Sequence, residues 1–244
     1  MFRILNNIIH QIKRREFFIG YLFAFLIVFM SACSKEDREL EAFNLLETVT
    51  DIEGNQYRII KIYNQTWFAE NLKTTTFNDG TPINDGADSV VWSSTDSALY
   101  CWYSNNPRQY KDVYGALYNW HAVKSEKLCP KGWKVPDEEN WQWLVDSLKG
   151  ENVAGGKMKH SGNLYWTATN TGATNSSGFR ALPGGYRNIA SKYKNLKDYG
   201  FWWSASNQGD SSAWYHCLYY YSAKIYKNHT KHNMGFSVRC VKVD

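Results

Sequence analysis

The chain has 244 residues, of which 43% are hydrophobic, 21% charged and 16% aromatic. This composition supports a large core and excludes general disorder, while 5 Pro and 17 Gly exclude collagen-like or proline-rich architecture. The aromatic content (11 Trp, 17 Tyr and 12 Phe) exceeds what a core of this size usually needs, so we expect some rings at a binding surface.

Residues 1–32 are predicted to be a lipoprotein signal peptide. Lys13, Arg14 and Arg15 precede an uncharged run at 17–30, which is shorter than the roughly 20 residues of a membrane span. The run ends in MSAC at 30–33, which resembles a lipobox and predicts lipidation, with palmitate among the acyl groups, at Cys33. The alternative is an anchor helix with an incidental cysteine.

Residues 33–47 are predicted to be a lipidated, flexible tether. The charged string SKED at 34–37 resembles the surface-export signal of Bacteroidetes-type lipoproteins, and it also suits a simple solvated tether. We therefore expect an outer-membrane, lipid-anchored protein exposed at the cell surface. Loss of the signal peptide removes four basic residues and one acidic residue, which lowers the formal charge from +5 to +2. A domain so close to neutrality is not expected to bind nucleic acid.

Four cysteines remain after Cys33: Cys101, Cys129, Cys217 and Cys240. They allow three pairings, and an exported setting permits bridges. A bridge between Cys129 and Cys240 would close a long loop and contribute roughly 4–5 kcal/mol in the chain-entropy model. Cys101 and Cys217 either form a second bridge or remain free thiols. The sequence has no CxxC or CxxH pair, so a zinc site is not expected.

The first part of the remaining chain is predicted to be β structure, at 48–72. A β-branched run at 57–62 and the string TWF at 66–68 are separated by turn residues, which predicts a hairpin. Residues 78–98 carry many Asn, Asp and Gly residues and predict loops.

Two helices are predicted next, a short one at 114–123 and a stronger one at about 138–149. The stronger helix follows from an acidic first turn and from the helical spacing of Trp141, Leu144, Val145 and Leu148. Beyond residue 153, short aromatic runs separated by polar loops predict short strands at 164–166, 179–182, 201–204, 213–226 and 236–243. Strands, two helices and further strands in this order predict an α+β fold.

Nine ordered strings resemble the FISUMP family (Fibrobacter succinogenes major paralogous domain). They are TWFAENL (66–72), YCWY (100–103), YGALYNW (114–120), LCPKGWKVP (128–136), AGGKMK (154–159), GATNSSGF (172–179), ALPGGYR (181–187), FWWS (201–204) and GFSVRCV (235–241). The match places the domain at residues 48–244. The resemblance implies a C-type-lectin-like fold with a small twisted antiparallel sheet, two helices and long loops. It also implies a bridge between Cys129 and Cys240, whereas Cys217 does not match a usual cysteine of the family.

The stretch 202–233 is the predicted ligand-binding region. Aromatic rings stack on the apolar faces of sugars, and polar edges fix their orientation. The predicted contact residues are Trp202, Trp203, Trp214, Tyr215, Tyr219 and Tyr221. The alternative is an aromatic core with incidental exposure.

The composition of this stretch also allows a diversified ligand face. Adenine-targeted mutation of Asn codons yields the residue types found at His216, Cys217, Tyr219, Tyr220, Tyr221, Ser222, Tyr226, Asn228, His229, His232 and Asn233. Some lectin-like proteins resemble this pattern because retroelements mutate their C-terminal strands. Ordinary divergence among paralogues explains the same composition.

Neither a metal nor a catalytic centre is indicated. Asp79, Asn84, Asp85 and Asp88 could form part of a calcium site, but Asx turns explain them better. No nucleophile, zinc-hydrolase or nucleotide-binding motif occurs, and we read Glu138, Glu139 and His121 as structural. We therefore expect a non-catalytic cell-surface lipoprotein without cofactors that binds a glycan. The alternatives are a protein-binding adhesin or envelope component and a polysaccharide-acting enzyme.

Overall fold

The structure, a computed structural model, describes residues 47–243. The described part consists of thirteen strands and five α-helices, with one 3-10 turn at Tyr103–Asn105. The strands are β1 Thr48–Thr50, β2 Gln56–Ile62, β3 Gln65–Phe68, β4 Asn84–Asp85, β5 Leu99–Cys101, β6 Leu117–Tyr118, β7 Trp133–Lys134, β8 Tyr186–Arg187, β9 Tyr193–Lys194, β10 Tyr199–Asn207, β11 Ser212–Tyr219, β12 Ile225–Lys231 and β13 Val241–Lys242. The helices are α1 Ser89–Ser94, α2 Pro107–Tyr114, α3 Trp120–Val123, α4 Glu138–Ser147 and α5 Glu151–Met158.

The first sheet has the order β1-β2-β3-β13-β7 and is antiparallel throughout. The predicted hairpin is confirmed as β2 and β3, in which Ile60 lies opposite Trp67. The chain returns at its far end to place β13 between β3 and β7. The predicted disulfide between Cys129 and Cys240 is confirmed, and it links the residues just before β7 and β13 across a sequence separation of 111.

The second sheet is an antiparallel ribbon of three strands in the order β10-β11-β12. Each of its faces contributes residues to a different hydrophobic cluster. Trp203 packs in one cluster with Phe236 and Val238, and Trp202 packs in the other with Trp141 and Leu218. Because successive strand residues point to opposite faces, the two neighbouring tryptophans are divided between the two clusters.

The stronger helix is confirmed as α4. Asp137 forms a capping box with Asn140, and Glu138 and Glu139 lie in the first turn. The predicted apolar face is buried, since Trp141, Leu144, Val145 and Leu148 all lie in one hydrophobic cluster. The end at Ser147 is two residues before the predicted one.

The short helix predicted at 114–123 is wrong. Tyr114 is the last residue of α2, residues 117–118 form a strand, and a separate short helix covers only Trp120–Val123. Helical geometry ends at Gly115, whose φ is +72°. A Cβ at this position would lie 2.6 Å from the carbonyl oxygen of Leu72. The Ala116 N–H donates to the same carbonyl, so this close approach to another segment replaces helical hydrogen bonding.

Strands predicted at 164–166 and 179–182 are absent from the described structure, which has loops there. Trp166 and Phe179 are nevertheless buried, and each is held by a contact with a polar group. The Trp166 indole donates to the carbonyl of Ala181 at 2.9 Å, and Phe179 lies against the buried guanidinium of Arg239 at 4.3 Å.

Buried cations hold these loops in place. Arg239 donates to the carbonyls of Phe68, Phe179 and Arg180. The ammonium of Lys159 also donates to main-chain carbonyls, from a side chain that is fully buried. Such contacts satisfy backbone groups that the long loops would otherwise bury without partners.

Helices together with mostly antiparallel sheets make this an α+β fold, as predicted, although β4 and β5 pair in parallel. The expectation of two helices is wrong, since residues 47–243 form five. Within residues 47–243, no helix has both the length and the apolar character needed to cross a membrane. The predicted signal peptide, most of the tether and Cys33 lie outside the described residues.

Candidate functional site

A patch of tyrosines lies on one face of the second sheet. We call it the tyrosine face, and it consists of Tyr199, Tyr215, Tyr219, Tyr221 and Tyr226. Tyr221 is 51% exposed, and the other four side chains are half-buried. These rings thus combine a packed side with an accessible edge.

Strand register explains why these tyrosines share a face. Tyr199 of β10 lies opposite Tyr219 of β11, and Cys217 lies opposite Tyr226 of β12. Residues directly opposite in an antiparallel pair, and residues two apart on one strand, point to the same side. Tyr215 and Tyr219 therefore project beside Tyr226, and the turn after β11 brings Tyr221 to the same cluster.

Tyr219 is the centre of the tyrosine face. Its ring centroid lies 4.5 Å from that of Tyr199, 4.7 Å from Tyr226 and 5.4 Å from Tyr221. The Tyr219 and Tyr221 rings are stacked, with 26° between their planes. Packing of this kind restricts each ring, which lowers the conformational entropy lost when a ligand binds.

The hydroxyls of Tyr215 and Tyr219 are neutral at physiological pH. Burial, with the nearby Cys217 and Tyr186, raises the pKa of Tyr215 to about 12, and burial likewise raises that of Tyr219. The Cys217 thiol donates to the Tyr219 hydroxyl at 3.2 Å, and the Tyr226 hydroxyl donates to Ser222 Oγ at 3.1 Å. Neutral phenols can donate and accept hydrogen bonds without the desolvation cost of a charge.

A lysine ammonium supports the face from inside. Lys159 Nζ donates to the carbonyls of Tyr219 at 3.1 Å, Ser222 at 2.9 Å and Thr171 at 2.9 Å. Burial lowers the pKa of Lys159 to about 8, so the ammonium stays largely protonated at neutral pH. It therefore fixes the turn that carries Tyr221 to the loop around Thr171.

Three of the six predicted contact residues come together on the tyrosine face: Tyr215, Tyr219 and Tyr221. Trp202 and Trp203 are fully buried in the two clusters, so the prediction that they contact a ligand is wrong. Trp214 is half-exposed on the opposite face, where the Lys227 ammonium lies 4.3 Å from its ring. Trp214 thus belongs to a different surface.

Tyr199 and Tyr226 were not among the predicted contacts. The sequence did place Tyr226 among the residues compatible with a diversified ligand face. The structure puts Tyr226 two positions before exposed Asn228 on β12, so both side chains point to the same side of the strand. Nothing in the sequence indicates that Tyr199 lies opposite Tyr219. Pairing between strands twenty residues apart depends on register, which composition does not encode.

A separate, concave site, which we call the polar groove, lies at the other end of the same sheet. Its volume is about 680 Å³, within the ordinary size range of ligand pockets. Residues from four separate segments line it: Asp96, Trp120, His121, Lys124, Asn207, Asp210, Ser211, Lys231, His232 and Asn233.

Two nearly buried histidines form the inner wall of the polar groove. His232 stacks on the Trp120 indole at 4.3 Å, and its Nε2 lies 3.1 Å from Asn207 Oδ1. His121 lies 5.5 Å from His232 between ring centroids, and its Nε2 is 3.3 Å from Asn233 Oδ1. His121 was predicted to have a structural role, and its ring also lines this groove.

Of the two alternatives for Cys101 and Cys217, the structure has free, buried thiols and no second bridge between them. They lie in different hydrophobic clusters, Cys101 with Trp92 and Cys217 with Trp203. Burial raises the pKa of each thiol to about 11, which keeps both protonated and unreactive.

The acidic loop around residues 79–88 agrees with the Asx-turn interpretation. Asp88 accepts from the N–H groups of Val90 and Val91 and caps α1, Asp85 accepts from Ala87, and Asp79 accepts from Thr81. No group of three or more His, Cys, Asp or Glu between residues 47 and 243 is arranged to hold a metal ion.

Glu138, in the first turn of α4, forms an ion pair with Lys227 and a hydrogen bond with His216. It lies 2.7 Å from Lys227 Nζ and 3.2 Å from His216 Nε2. Burial opposes its ionisation, but these partners outweigh burial and lower its pKa to about 2. A carboxyl group held so firmly as an anion is a poor general acid.

The residues compatible with a diversified face do not share one surface. His216 and Cys217 are buried, whereas Asn228 and His229 are exposed on the edge strand. A ligand approaching the tyrosine face would meet only part of this set.

Comparison with protein-family models identifies the Fibrobacter succinogenes major domain over residues 60–242. This match spans well over half of the chain, and the protein belongs to that family, the FISUMP family that its sequence strings resemble. A search of the curated proteins found no match. A search of the solved structures also found none.

Proposed function

We propose that this protein is a non-catalytic, lipid-anchored cell-surface protein that binds an extracellular glycan through the tyrosine face. The observation that supports this function is the packed cluster around Tyr219, with exposed Tyr221 at its margin. Tyrosine combines a flat apolar face, which stacks on the C–H side of a sugar ring, with a hydroxyl that bonds its polar edge. A neutral patch suits an uncharged ligand.

A C-type-lectin-like architecture is part of the proposal. Two antiparallel sheets, a bridge from the segment before the main helix to the last strand, and a long loop region at 159–185 support it. In such an arrangement the sheets and helices form a rigid base, and the surface beside the loops is available for a ligand.

The proposed location is the outer membrane, with the domain facing the outside and Cys33 carrying the lipid. The lipobox-like string and the charged residues after it support this location. Replacement of Cys33 by alanine should abolish incorporation of labelled palmitate, and continued labelling would mean a different anchor.

A glycan array with matched variants tests the function. Tyr221→Ala and Tyr219→Ala should each weaken binding of the captured glycan by about tenfold or more, equivalent to about 1.4 kcal/mol. Tyr63→Ala is the control, because Tyr63 is 59% exposed but lies on the β2–β3 turn of the first sheet. Equal binding by all variants, or no glycan bound at all, would contradict the proposal.

The same experiment addresses the alternatives. Capture of a surface protein without any glycan would favour an adhesin or envelope component, since tyrosine-rich surfaces also bind proteins. New reducing ends in a polysaccharide, lost when one carboxylate is replaced, would favour an enzyme.

A further inference from the structure

The edge strand β12 connects the tyrosine face to the polar groove. Tyr226, Asn228 and Thr230 alternate along it on the side that faces Tyr215, because Asn228 pairs with Tyr215 and Thr230 with Ala213. The His232 N–H donates to the carbonyl of Ser211, which continues the register by one more step. His232, on the wall of the groove, thus projects to the same side as Tyr226.

The length of this connection exceeds that of a small sugar. His232 lies six positions after Tyr226, which corresponds to roughly 20 Å of extended strand. Asn228, midway along it, is exposed, and Thr230 is half-exposed. Polar side chains therefore continue from the aromatic cluster to the groove along one open edge.

The chemistry of the polar groove is that of a site for hydroxyl groups. Its rim carries two carboxylates, Asp96 and Asp210, and two ammonium groups, Lys124 and Lys231, so opposite charges balance. Burial lowers the pKa of His232, so this imidazole is uncharged at neutral pH. Closely placed donors and acceptors without net charge match the hydroxyls of a neutral sugar better than an anion or a metal ion.

The groove also offers a stacking element. The His232 ring lies over the Trp120 indole with 19° between their planes, which holds it as a flat wall. The groove therefore has a flat ring beside amide and hydroxyl groups. The tyrosine face has the same combination of flat rings and hydrogen-bonding groups, but it is less polar.

We propose that the polar groove is a second subsite for the glycan bound at the tyrosine face, and that this glycan is an extended, uncharged polysaccharide strand lying along β12. This inference rests on the proposed function and deepens it by naming the ligand class. A polysaccharide chain that reaches both subsites makes its second contact intramolecularly. Its affinity therefore exceeds that of a fragment that reaches only one subsite.

The test uses the full chain in detergent and measures binding of neutral glucan, mannan and xylan oligosaccharides, each as a series from disaccharide to octasaccharide. The double variant Asp210→Ser with Lys231→Ser alters the groove without changing net charge. Its matched control is Glu139→Ser with Lys192→Ser, which removes an exposed pair elsewhere. Urea unfolding confirms that each variant is folded.

We expect the wild-type chain to bind the long members of one series at least about tenfold more tightly than the short ones. The groove variant should lose this gain yet bind short oligosaccharides normally, and Tyr221→Ala should weaken binding at every length. Length-independent binding, a groove variant that keeps the gain, or preference for acidic oligosaccharides would overturn the inference and leave the proposed function standing. Failure of every oligosaccharide and every array glycan to bind would overturn both.

Discussion

The ammonium of Lys159 lies 3.1 Å from the carbonyl oxygen of Tyr219, and it also reaches Ser222 and Thr171. A cation at the end of α5 thus fixes the main chain of the residue at the centre of the tyrosine face. Lysine is well suited to this place, because its three N–H donors can serve three carbonyls at once.

Replacement of Lys159 by methionine should lower the free energy of unfolding by about 3 kcal/mol, because the carbonyls would stay buried without a donor. Urea unfolding measures the loss, and hydrogen exchange should increase at residues 219–222. Lys192→Met, at an exposed position, serves as the control and should change neither. Unchanged hydrogen exchange at 219–222 would show that the contacts of Lys159 do not hold the turn.

Removal of the disulfide by Cys129→Ala with Cys240→Ala should cost about 4–5 kcal/mol, because the bridge closes a loop of more than one hundred residues. Urea unfolding measures this loss. Cys217→Ala keeps the bridge and should cost only about 1 kcal/mol for its small cavity. Similar losses in both variants would contradict a stabilising bridge.

The free thiols should resist alkylation in the folded chain. Cys101 and Cys217 are buried, and burial raises the pKa of each to about 11, so little thiolate exists at pH 8. Peptide mapping after iodoacetamide treatment should find both unmodified, and both labelled when urea is present. A disulfide-linked peptide pair containing these two cysteines would contradict the structure.

The free energy of unfolding should fall on mild acidification, and His216 should be the cause. Burial lowers the pKa of this imidazole, despite Glu138 at 3.2 Å, and its ring stacks on Trp141 at 4.5 Å. The contribution of neutral His216 to the free energy of unfolding is fully present above the ordinary pKa of 6.5. It is lost as the pH falls through the lower pKa of the folded state, because in this range the unfolded chain binds the proton more readily than the folded chain.

Unfolding titrations from pH 7.5 to pH 5 measure this effect. Each unit by which the folded pKa is lowered corresponds to about 1.4 kcal/mol. His216→Gln should flatten the decline below pH 6.5, whereas His229→Gln, at an exposed position of β12, should retain it. An equal decline in the two variants would exclude His216 as its source.

Features fixed by local pattern could be predicted from the sequence. The hairpin of β2 and β3 follows from its β-branched run and turn residues, and α4 follows from the spacing of Trp141, Leu144, Val145 and Leu148. The pairing of Cys129 with Cys240 came from family resemblance, because spacing alone leaves three pairings open.

Features that depend on tertiary contact could not be predicted. Trp202 and Trp203 look like surplus aromatics in the sequence, but each face of their strand has its own hydrophobic cluster. The groove combines Asp96, His121, Asn207 and His232 from segments distant in sequence. Neither periodicity nor composition relates such segments to one another.

The position of β13 has a consequence for how the chain matures. Residues 241–242 fill the gap between β3 and β7, so the first sheet stays incomplete until a segment more than 170 positions beyond β3 has arrived. Contacts of such long sequence range form late and slowly. A nascent chain cannot complete this sheet before its C-terminal segment is made, which would suit the export proposed for this protein.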